Sequence, residues 1–136
     1  MMSNTFGKTS KEQLETVNPV LKTLANKALE KSNVDFGILK TGGKRTPEEQ
    51  NALFKAGNSQ KDGYKKLSYH QSGNAVDFVP FIDGKPTWAD NNAFAEIHKA
   101  VMAAWKEMNL DSEWNLVWGG DWKTFIDKPH YELHKK

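Results

Sequence analysis

The sequence contains no cysteine, so neither a disulfide framework nor a thiolate metal site is available to this chain. A metal ion would therefore have to be bound through histidine, aspartate or glutamate side chains. No run of residues approaches the ~20 apolar positions of a membrane-spanning helix, and residues 1–8 lack the apolar core of a signal peptide. We therefore expect no stable membrane insertion. We also expect that the protein is made in a cytoplasm and leaves it only if another factor releases it.

A strong charge imbalance is also absent, because the formal net charge is only +2. A charge this small does not by itself indicate nucleic-acid binding, and the lysines match no nucleic-acid-binding motif, so no such partner is expected. Four lysines nevertheless cluster ahead of position 70, at Lys55, Lys61, Lys65 and Lys66. They form either a solvated basic face or a surface that attracts an anionic substrate or polymer.

The 136 residues, 38% hydrophobic and 26% charged, are typical of a globular protein rather than a disordered one. A chain of this length predicts one domain, residues 1–136, built on a single core. Helical patterns come first and strand patterns lie between and after them, which predicts an α+β fold.

Four helices are predicted from capping residues and apolar spacing. Their starts are a capping box from Ser10 to Gln13, Asn18 with Pro19, Thr46 with Pro47 and Glu49, and Asp90 or Asn91. The third helix is expected to turn Ala52, Leu53 and Phe54 inward. The second and fourth carry apolar stripes at helical spacing, Val20, Leu21, Leu24, Ala25, Ala28 and Leu29 in one, and Phe94, Ile97, Val101, Ala104, Trp105 and Met108 in the other.

Four short apolar runs predict strands at residues 35–40, 75–79, 116–118 and 130–133. Asp83 and Gly84 are predicted at the tip of a turn that follows the second run. The lysine-rich residues 58–67 are expected to form a loop over a cleft.

The stretch from Ser68 to Asp77 contains polar residues that a purely structural role in the fold does not explain. Asp77 lies inside a predicted apolar strand, where a carboxylate is costly unless a cation or a donor pairs with it. His70 lies seven positions earlier, and His130 opens the last predicted strand. Two imidazoles and one carboxylate suit a catalytic zinc ion that keeps one position for water. These three residues are therefore a candidate Zn²⁺ site, although their spacing alone is a weak signal and the set also suits other divalent ions.

Other charged residues lie where chemistry at such a metal could use them. Asp127 precedes His130 by three residues, close enough to reach a water at the metal and act as general base. Arg45, at a strand-to-helix junction, could stabilise an oxyanion or grip a carboxylate. Glu132 could orient a ligand, the interpretation we favour, or pair with a lysine.

Four further residues have two interpretations each. His134 would share a strand face with His130, but near the end of the chain it is expected to be exposed. Asp121 could support a ligand or simply belong to a turn. Trp118 and Trp122 could lie in the core or on a cleft wall.

The patterns Ser68-x-His70-x-x-Gly73-x-Ala75-x-Asp77 and Asp127-x-x-His130-x-Glu132, together with the upstream Gly43 to Thr46, resemble the LAS metallopeptidases. That group includes bacterial D-Ala-D-Ala dipeptidases and carboxypeptidases and the non-catalytic hedgehog signalling domain. Over nearly its whole length the chain is similar to small phage endolysins of the L-alanyl-D-glutamate peptidase type. The resemblance implies a small antiparallel sheet with helices packed on it, and zinc bound by the three predicted ligands.

The resemblance also implies roles for residues around the metal. Asp127 would be the catalytic base, Arg45 would polarise the scissile carbonyl, and Ser68 would contact substrate. The implied reaction is cleavage of the bond between L-Ala and D-Glu in the stem peptide of peptidoglycan, for lysis of the host of a phage or prophage.

A lytic role adds expectations about location and partners. The enzyme would be a monomer made in the host cytoplasm, released through a separate pore protein, and active on the cell wall in the periplasm. Many relatives carry a separate wall-binding domain, for which the 136 residues leave no length. Some are calcium-regulated through an acidic loop, but residues 109–114 offer only Asp111 and Glu113, so calcium is not expected.

Two alternatives stay open. One is a D,D-carboxypeptidase or dipeptidase acting on D-Ala-D-Ala ends, which would need a pocket for a terminal carboxylate. The other is a non-catalytic, zinc-bound binding domain, against which Asp127 and Arg45 argue.

Overall fold

Four α-helices run through residues 5–136, the part of the chain that the computed structural model describes. They are α1 (Lys8–Leu14), α2 (Pro19–Lys31), α3 (Pro47–Lys55) and α4 (Asn91–Met108), with short 3-10 helices at Tyr69–Ser72 and Gly119–Asp121. Within this range, no helix is long and apolar enough to cross a membrane. Residues 1–4, part of the segment searched for a signal peptide, lie outside it.

The strands form two small antiparallel sheets. They are β1 (Phe36–Gly37), β2 (Ala75–Asp77), β3 (Val79–Ile82), β4 (Lys85–Pro86), β5 (Trp114–Trp118) and β6 (His130–Lys135). One sheet has the order β1-β3-β4 and the other the order β2-β6-β5. The α+β prediction is confirmed, although the run 75–79 divides at Phe78 between the two sheets instead of forming one strand.

The apolar core lies where α2 and α4 pack together and against the β2-β6-β5 sheet. Its buried members include Leu21, Leu24, Ala25, Ala28 and Leu29 of α2, Ile97, Val101, Ala104 and Trp105 of α4, and Val76, Tyr131 and Leu133 of the sheet. The two predicted helical stripes are confirmed except at their ends, where Val20 and Met108 are only partly buried. Burying each large side chain stabilises the fold by roughly 1.5–3 kcal/mol.

Three of the four predicted helix starts are confirmed by their caps. The Asn18 side chain accepts a hydrogen bond from the Val20 amide at 2.9 Å, and the Asp90 carboxylate accepts one from the Ala93 amide at 3.0 Å. Thr46 forms the predicted capping box of α3 with the residue three positions later. The predicted turn is also present, with a φ of 53° at Asp83 and 78° at Gly84 between β3 and β4.

The predicted start of α1 is wrong. The helix begins after Gly7, and Ser10 lies inside it with its hydroxyl turned to the chain after β1. Ser10 Oγ accepts a hydrogen bond from the Ile38 amide at 2.9 Å and lies 3.3 Å from the Ile38 carbonyl. Because both backbone groups of Ile38 bond to α1, the predicted strand 35–40 is reduced to the two residues of β1.

The predicted inner face of α3 is also wrong. Ala52 and Phe54 are exposed and Leu53 is half-buried. The fully buried side chain of this helix is Gln50. Gln50 donates hydrogen bonds to Ser59 and to the Lys61 carbonyl, so α3 packs against a polar loop instead of the core.

Candidate metal centre

His70 is held by the 3-10 helix Tyr69–Ser72. Ser68 Oγ accepts a hydrogen bond from the His70 amide at 3.2 Å, and Gln71 Oε1 accepts one from the Ser68 amide at 2.9 Å. Gly73 ends this turn with a φ of 78°, and a Cβ there would lie 3.1 Å from a backbone carbonyl between α1 and α2. Glycine therefore lets the chain turn sharply from His70 into β2.

Asp77 and His130 are brought together by the antiparallel pairing of β2 with β6, in which they lie directly opposite each other. Side chains alternate along a strand, so His130, Glu132 and His134 share one face of β6. The residues between them enter the core on the other face.

Three potential ligand atoms form a triangle at this point. Nε2 of His70, Nδ1 of His130 and Oδ1 of Asp77 each lie 3.1 Å from the other two. The outer imidazole nitrogens are already bonded, His70 Nδ1 to the Gly43 carbonyl at 2.8 Å and His130 Nε2 to Glu132 Oε1 at 2.7 Å. Because carbonyl and carboxylate oxygens only accept, the protons of the neutral rings lie on these outer nitrogens. The inner lone pairs then face each other and the Asp77 carboxylate.

A cation would relieve this convergence of electron pairs. Zinc lies about 2.0–2.2 Å from nitrogen and oxygen ligands, which sets tetrahedral ligand atoms about 3.3–3.6 Å apart. The 3.1 Å triangle is only slightly tighter than this spacing. The structure thus brings His70, Asp77 and His130 together as a group that could hold a metal ion.

The electrostatics of the triangle favour positive charge. Burial alone would raise the pKa of Asp77, but His70 and His130 hold it well below its usual range. Burial alone would also lower the pKa of His130, yet its hydrogen bonds with Asp77 and Glu132 raise that pKa to about 9. These carboxylates therefore stabilise a cation, either a proton or a metal ion, at the inner nitrogen of His130.

Arg45 lies beside the triangle and is held by three contacts. Its Nη2 donates to Asp77 Oδ2 at 3.0 Å, its Nε to the Thr41 carbonyl at 2.6 Å, and its Nη1 to Gln50 Oε1 at 3.0 Å. Asp77 thus presents one oxygen to the imidazoles and the other to Arg45. A guanidinium has five N–H donors, so two are left to meet a bound ligand.

Asp127 lies on the wall of the same cleft, before β6. Its amide donates to the Gly119 carbonyl at 3.0 Å, and its carbonyl accepts from the His130 amide at 3.1 Å. A Cβ at Gly119 would overlap the Asp127 carbonyl, so glycine permits this approach. Burial and the negative charge of Asp77 raise the pKa of Asp127 to about 6. A carboxyl group with such a pKa can both accept and return a proton near neutrality.

Hydrogen bonds connect His130 through Glu132 to His134 at the surface. Beyond the His130 contact, Glu132 Oε2 lies 2.5 Å from His134 Nε2, and the His134 ring stacks on Tyr69 with 4.5 Å between centroids. Glu132 therefore pairs with two histidines and not with a lysine as in the alternative interpretation. His134, expected to be exposed, is half-buried.

The structure distinguishes between the residues for which the sequence allowed two interpretations. Trp118 packs on the core, stacked on His98 with 3.7 Å between ring centroids. Trp122 lines the cleft, with its ring centroid 5.2 Å from that of His130. Asp121 has an exposed side chain at the end of a 3-10 helix, as a turn residue would.

The predicted site residues open onto a cleft of about 980 Å³. Its lining includes Ser68, Arg45, Asp127, Glu132 and the three triangle residues. Four lysines and five exposed large hydrophobic side chains also line it, namely Lys40, Lys61, Lys123 and Lys128, and Leu67, Tyr69, Trp88, Phe125 and Ile126. This wall suits a ligand with negative charges and apolar parts.

Sequence reasoning missed one residue of the site, Gln50, which bonds to Arg45. The inward position of Gln50 has no periodic signal in the sequence, because its partners Arg45, Ser59 and Lys61 lie outside α3. The apolar residues that follow Gln50 indicated a different inward face.

Comparisons with known proteins agree with this geometry. The family model described as phage L-alanyl-D-glutamate peptidase matches residues 2–134. The L-alanyl-D-glutamate peptidase of Escherichia phage T5 is 41% identical over 93% of this chain and 87% of its own length. The peptidoglycan L-alanyl-D-glutamate endopeptidase CwlK of Bacillus subtilis is 32% identical over 86% of this chain and 73% of its own.

A solved structure extends the likeness to the fold. The crystal structure of the L-Ala D-Glu endopeptidase ChiX of Serratia marcescens superposes with a TM-score of 0.78 at 33% identity. The match covers 96% of this chain and 90% of the other. With the family model spanning nearly the whole sequence, this chain belongs to the phage L-alanyl-D-glutamate peptidase family.

Proposed function

We propose that this protein is a zinc endopeptidase that hydrolyses the L-Ala–D-Glu bond of peptidoglycan stem peptides. The observation that carries the proposal is the 3.1 Å triangle of His70, Asp77 and His130 in a cleft that also holds Asp127 and Arg45. The names of the relatives supply the bond that is cut.

The triangle residues would hold zinc, with Glu132 fixing the ring of His130 from behind. Zinc bound there supplies a Lewis acid for the scissile carbonyl and for water. Other divalent ions suit the same donor set, so the metal content of the active protein has to be measured.

The remaining steps belong to the chain itself. Asp127 takes a proton from the attacking water and returns it to the leaving amine of D-Glu. Arg45 directs its free N–H groups to the oxygen on which negative charge develops. Ser68 lies on the cleft wall beside His70, where its hydroxyl can meet the substrate. The lysines of the cleft attract the carboxylates of the stem peptide.

The phage source of a relative supports a lytic role for this chain. On this proposal the protein is a monomeric, single-domain endolysin, made in the host cytoplasm and passed to the cell wall by a separate pore protein. Expression in bacteria with and without such a pore tests the route, and culture turbidity should fall only when both proteins are present.

The reaction is tested on purified sacculi with the zinc-loaded protein. Mass spectrometry of the products should show new peptides that begin with D-Glu, together with glycan strands that keep L-Ala. Release of terminal D-Ala alone would identify a D,D-carboxypeptidase. No product from a fully zinc-loaded, folded protein would identify a binding domain.

A further inference from the structure

Gln50 is a fully buried polar side chain in a helix whose other residues are all exposed or half-buried. A carboxamide is retained in such a place only when its hydrogen-bonding groups are satisfied. Gln50 therefore holds α3 by specific contacts, whereas α2 and α4 are held by apolar surface.

Both ends of the carboxamide are bonded. Its Oε1 accepts a hydrogen bond from Arg45 Nη1 at 3.0 Å. Its Nε2 donates to Ser59 Oγ and to the Lys61 carbonyl, each at 2.8 Å. Arginine can only donate and a carbonyl can only accept, so the amide cannot be reversed without breaking both contacts. The chemistry of its neighbours thus fixes the direction in which Gln50 points.

The two groups joined by Gln50 lie on the same cleft. One is Arg45, whose other contacts are Asp77 and the Thr41 carbonyl. The other is the lysine loop, residues 58–67, which brings Lys61 to the cleft wall. Asp62 stiffens this loop from within, because its carboxylate accepts hydrogen bonds from the amides of residues 64, 65 and 66.

A second contact ties α3 to the lysine loop without touching Arg45. Asn51 Nδ2 donates to the Asp62 carbonyl at 2.9 Å. Two adjacent residues of α3 thus make different contacts. Asn51 bonds only to the loop, and Gln50 bonds to both the loop and Arg45.

We propose that Gln50 is a positioning residue for the peptidase reaction. It sets the Arg45 guanidinium against Asp77 so that the free N–H groups face the scissile carbonyl, and it keeps the lysine loop on the cleft wall. The inference rests on the proposed function, because it assigns the side chain that aims Arg45. Small displacements of an oxyanion donor lower the rate of the chemical step more than they weaken binding.

The test compares Gln50→Met, Gln50→Glu and Asn51→Ala with the unchanged protein, all loaded with zinc. Gln50→Met keeps the side-chain length and removes every contact. Gln50→Glu keeps an oxygen for Arg45 and loses the amide donors to the loop. We expect kcat to fall roughly tenfold or more in Gln50→Met, with metal content unchanged. We expect Gln50→Glu to keep more of kcat than Gln50→Met while KM rises, and Asn51→Ala to keep kcat within about twofold.

A nuclear magnetic resonance measurement gives a readout that does not need substrate. The Arg45 Nη1–H signal, assigned by its loss in Arg45→Lys, reports the contact with Gln50 and should be sharp and slowly exchanging in the unchanged protein and in Asn51→Ala. It should broaden or exchange faster in Gln50→Met. This readout also separates the inference from the proposed function, whose failure would appear as an unchanged protein that does not cut sacculi.

Two results would overturn the proposal. One is an equal loss of kcat in Asn51→Ala and Gln50→Met, which would assign the effect to the loop alone. The other is a Gln50→Met protein that melts earlier but keeps its kcat and its Arg45 signal. If Gln50→Met does not fold, Gln50→Glu carries the test, because it keeps an acceptor for Arg45. A kcat that falls tenfold or more in Gln50→Glu while the Arg45 signal is unchanged would then contradict the role.

Discussion

The two sides of this molecule are held together by different forces. Where α2 meets α4 and the β2-β6-β5 sheet, the contacts are apolar and the buried side chains are leucine, isoleucine, valine and alanine together with Trp105 and Tyr131. Where α3 meets the lysine loop and the cleft, the contacts are hydrogen bonds from Gln50, Asn51 and Arg45.

The difference separates stability from chemistry. Apolar burial is strong and non-directional, so it stabilises the fold without fixing any atom to a fraction of an ångström. Hydrogen bonds contribute less net free energy but require defined distances and angles. The proposed catalytic groups lie where the direction of contacts matters, and the core lies where buried apolar area matters. Each of the following predictions tests one side against the other.

The largest effect is expected from Asp127→Asn, which removes the proposed base and keeps the shape of the side chain. General acid–base catalysis contributes about 10²–10⁴-fold, so kcat should fall by that factor while the melting temperature and zinc content stay unchanged. Release of amino groups from sacculi measures it. Asp121→Asn, in the same connection but exposed, is the matched control and should keep full activity. Full activity in Asp127→Asn would remove Asp127 from the mechanism.

The reverse pattern is expected from Leu24→Ala on the apolar side. Leu24 lies on α2, and its side chain is fully buried in the core. Truncating such a residue costs about 2–5 kcal/mol of unfolding free energy. Denaturant unfolding should show this loss, while kcat measured well below the melting temperature stays close to that of the unchanged protein. A fall in kcat that matches Asp127→Asn would mean that the two sides are not separate.

A smaller effect is expected from Glu132→Gln. Glu132 lies on β6, between the apolar side and the hydrogen-bonded side of the molecule. The change keeps an acceptor for His130 but removes the negative charge that supports it. Loss of such a supporting group weakens metal binding by about 10–100-fold. Competitive titration with a zinc chelator measures the affinity, and Glu113→Gln in an exposed turn is the control. An unchanged affinity would mean that Glu132 is only a structural partner of the histidines.

The smallest expected effect is a pH dependence. A base must be ionised, and the raised pKa of Asp127, about 6, makes it protonate earlier than an exposed aspartate as pH falls. The value of kcat/KM should therefore decline about tenfold per unit on the acid side. A bound cation lowers this pKa, so the acid limb should lie at or below pH 6. Sacculi digestion from pH 4 to 8 measures the limb, and its absence would argue against Asp127 as the base.

The members of the triangle could be predicted because they are few and chemically unusual, and because they lie in motifs that resemble a known family. An aspartate inside an apolar strand needed a partner, and the two histidines were suitable in type and order. The helix stripes of α2 and α4 were predictable because spacing and apolar character agree there.

The sequence failed where one polar side chain overrides the apolar pattern. Leu53 and Phe54 suggested an inward face for α3, but the structure turns Gln50 inward because its partners are polar and distant in sequence. Ser10 likewise resembles a cap, yet its hydroxyl bonds to Ile38, a residue 28 positions away. Such pairings depend on tertiary structure and leave no periodic signal.

Strand β6 carries the imidazoles of His130 and His134 on one face and the core residues Tyr131 and Leu133 on the other. A slip of one position against β2 would exchange the two sets, placing a phenol and an aliphatic chain in the catalytic cleft and imidazoles among the leucines. Misalignment of this strand would therefore unfold the protein instead of leaving an intact but inactive copy. Folding of β6 onto β2 is therefore coupled to the alignment of the candidate metal ligands Asp77 and His130.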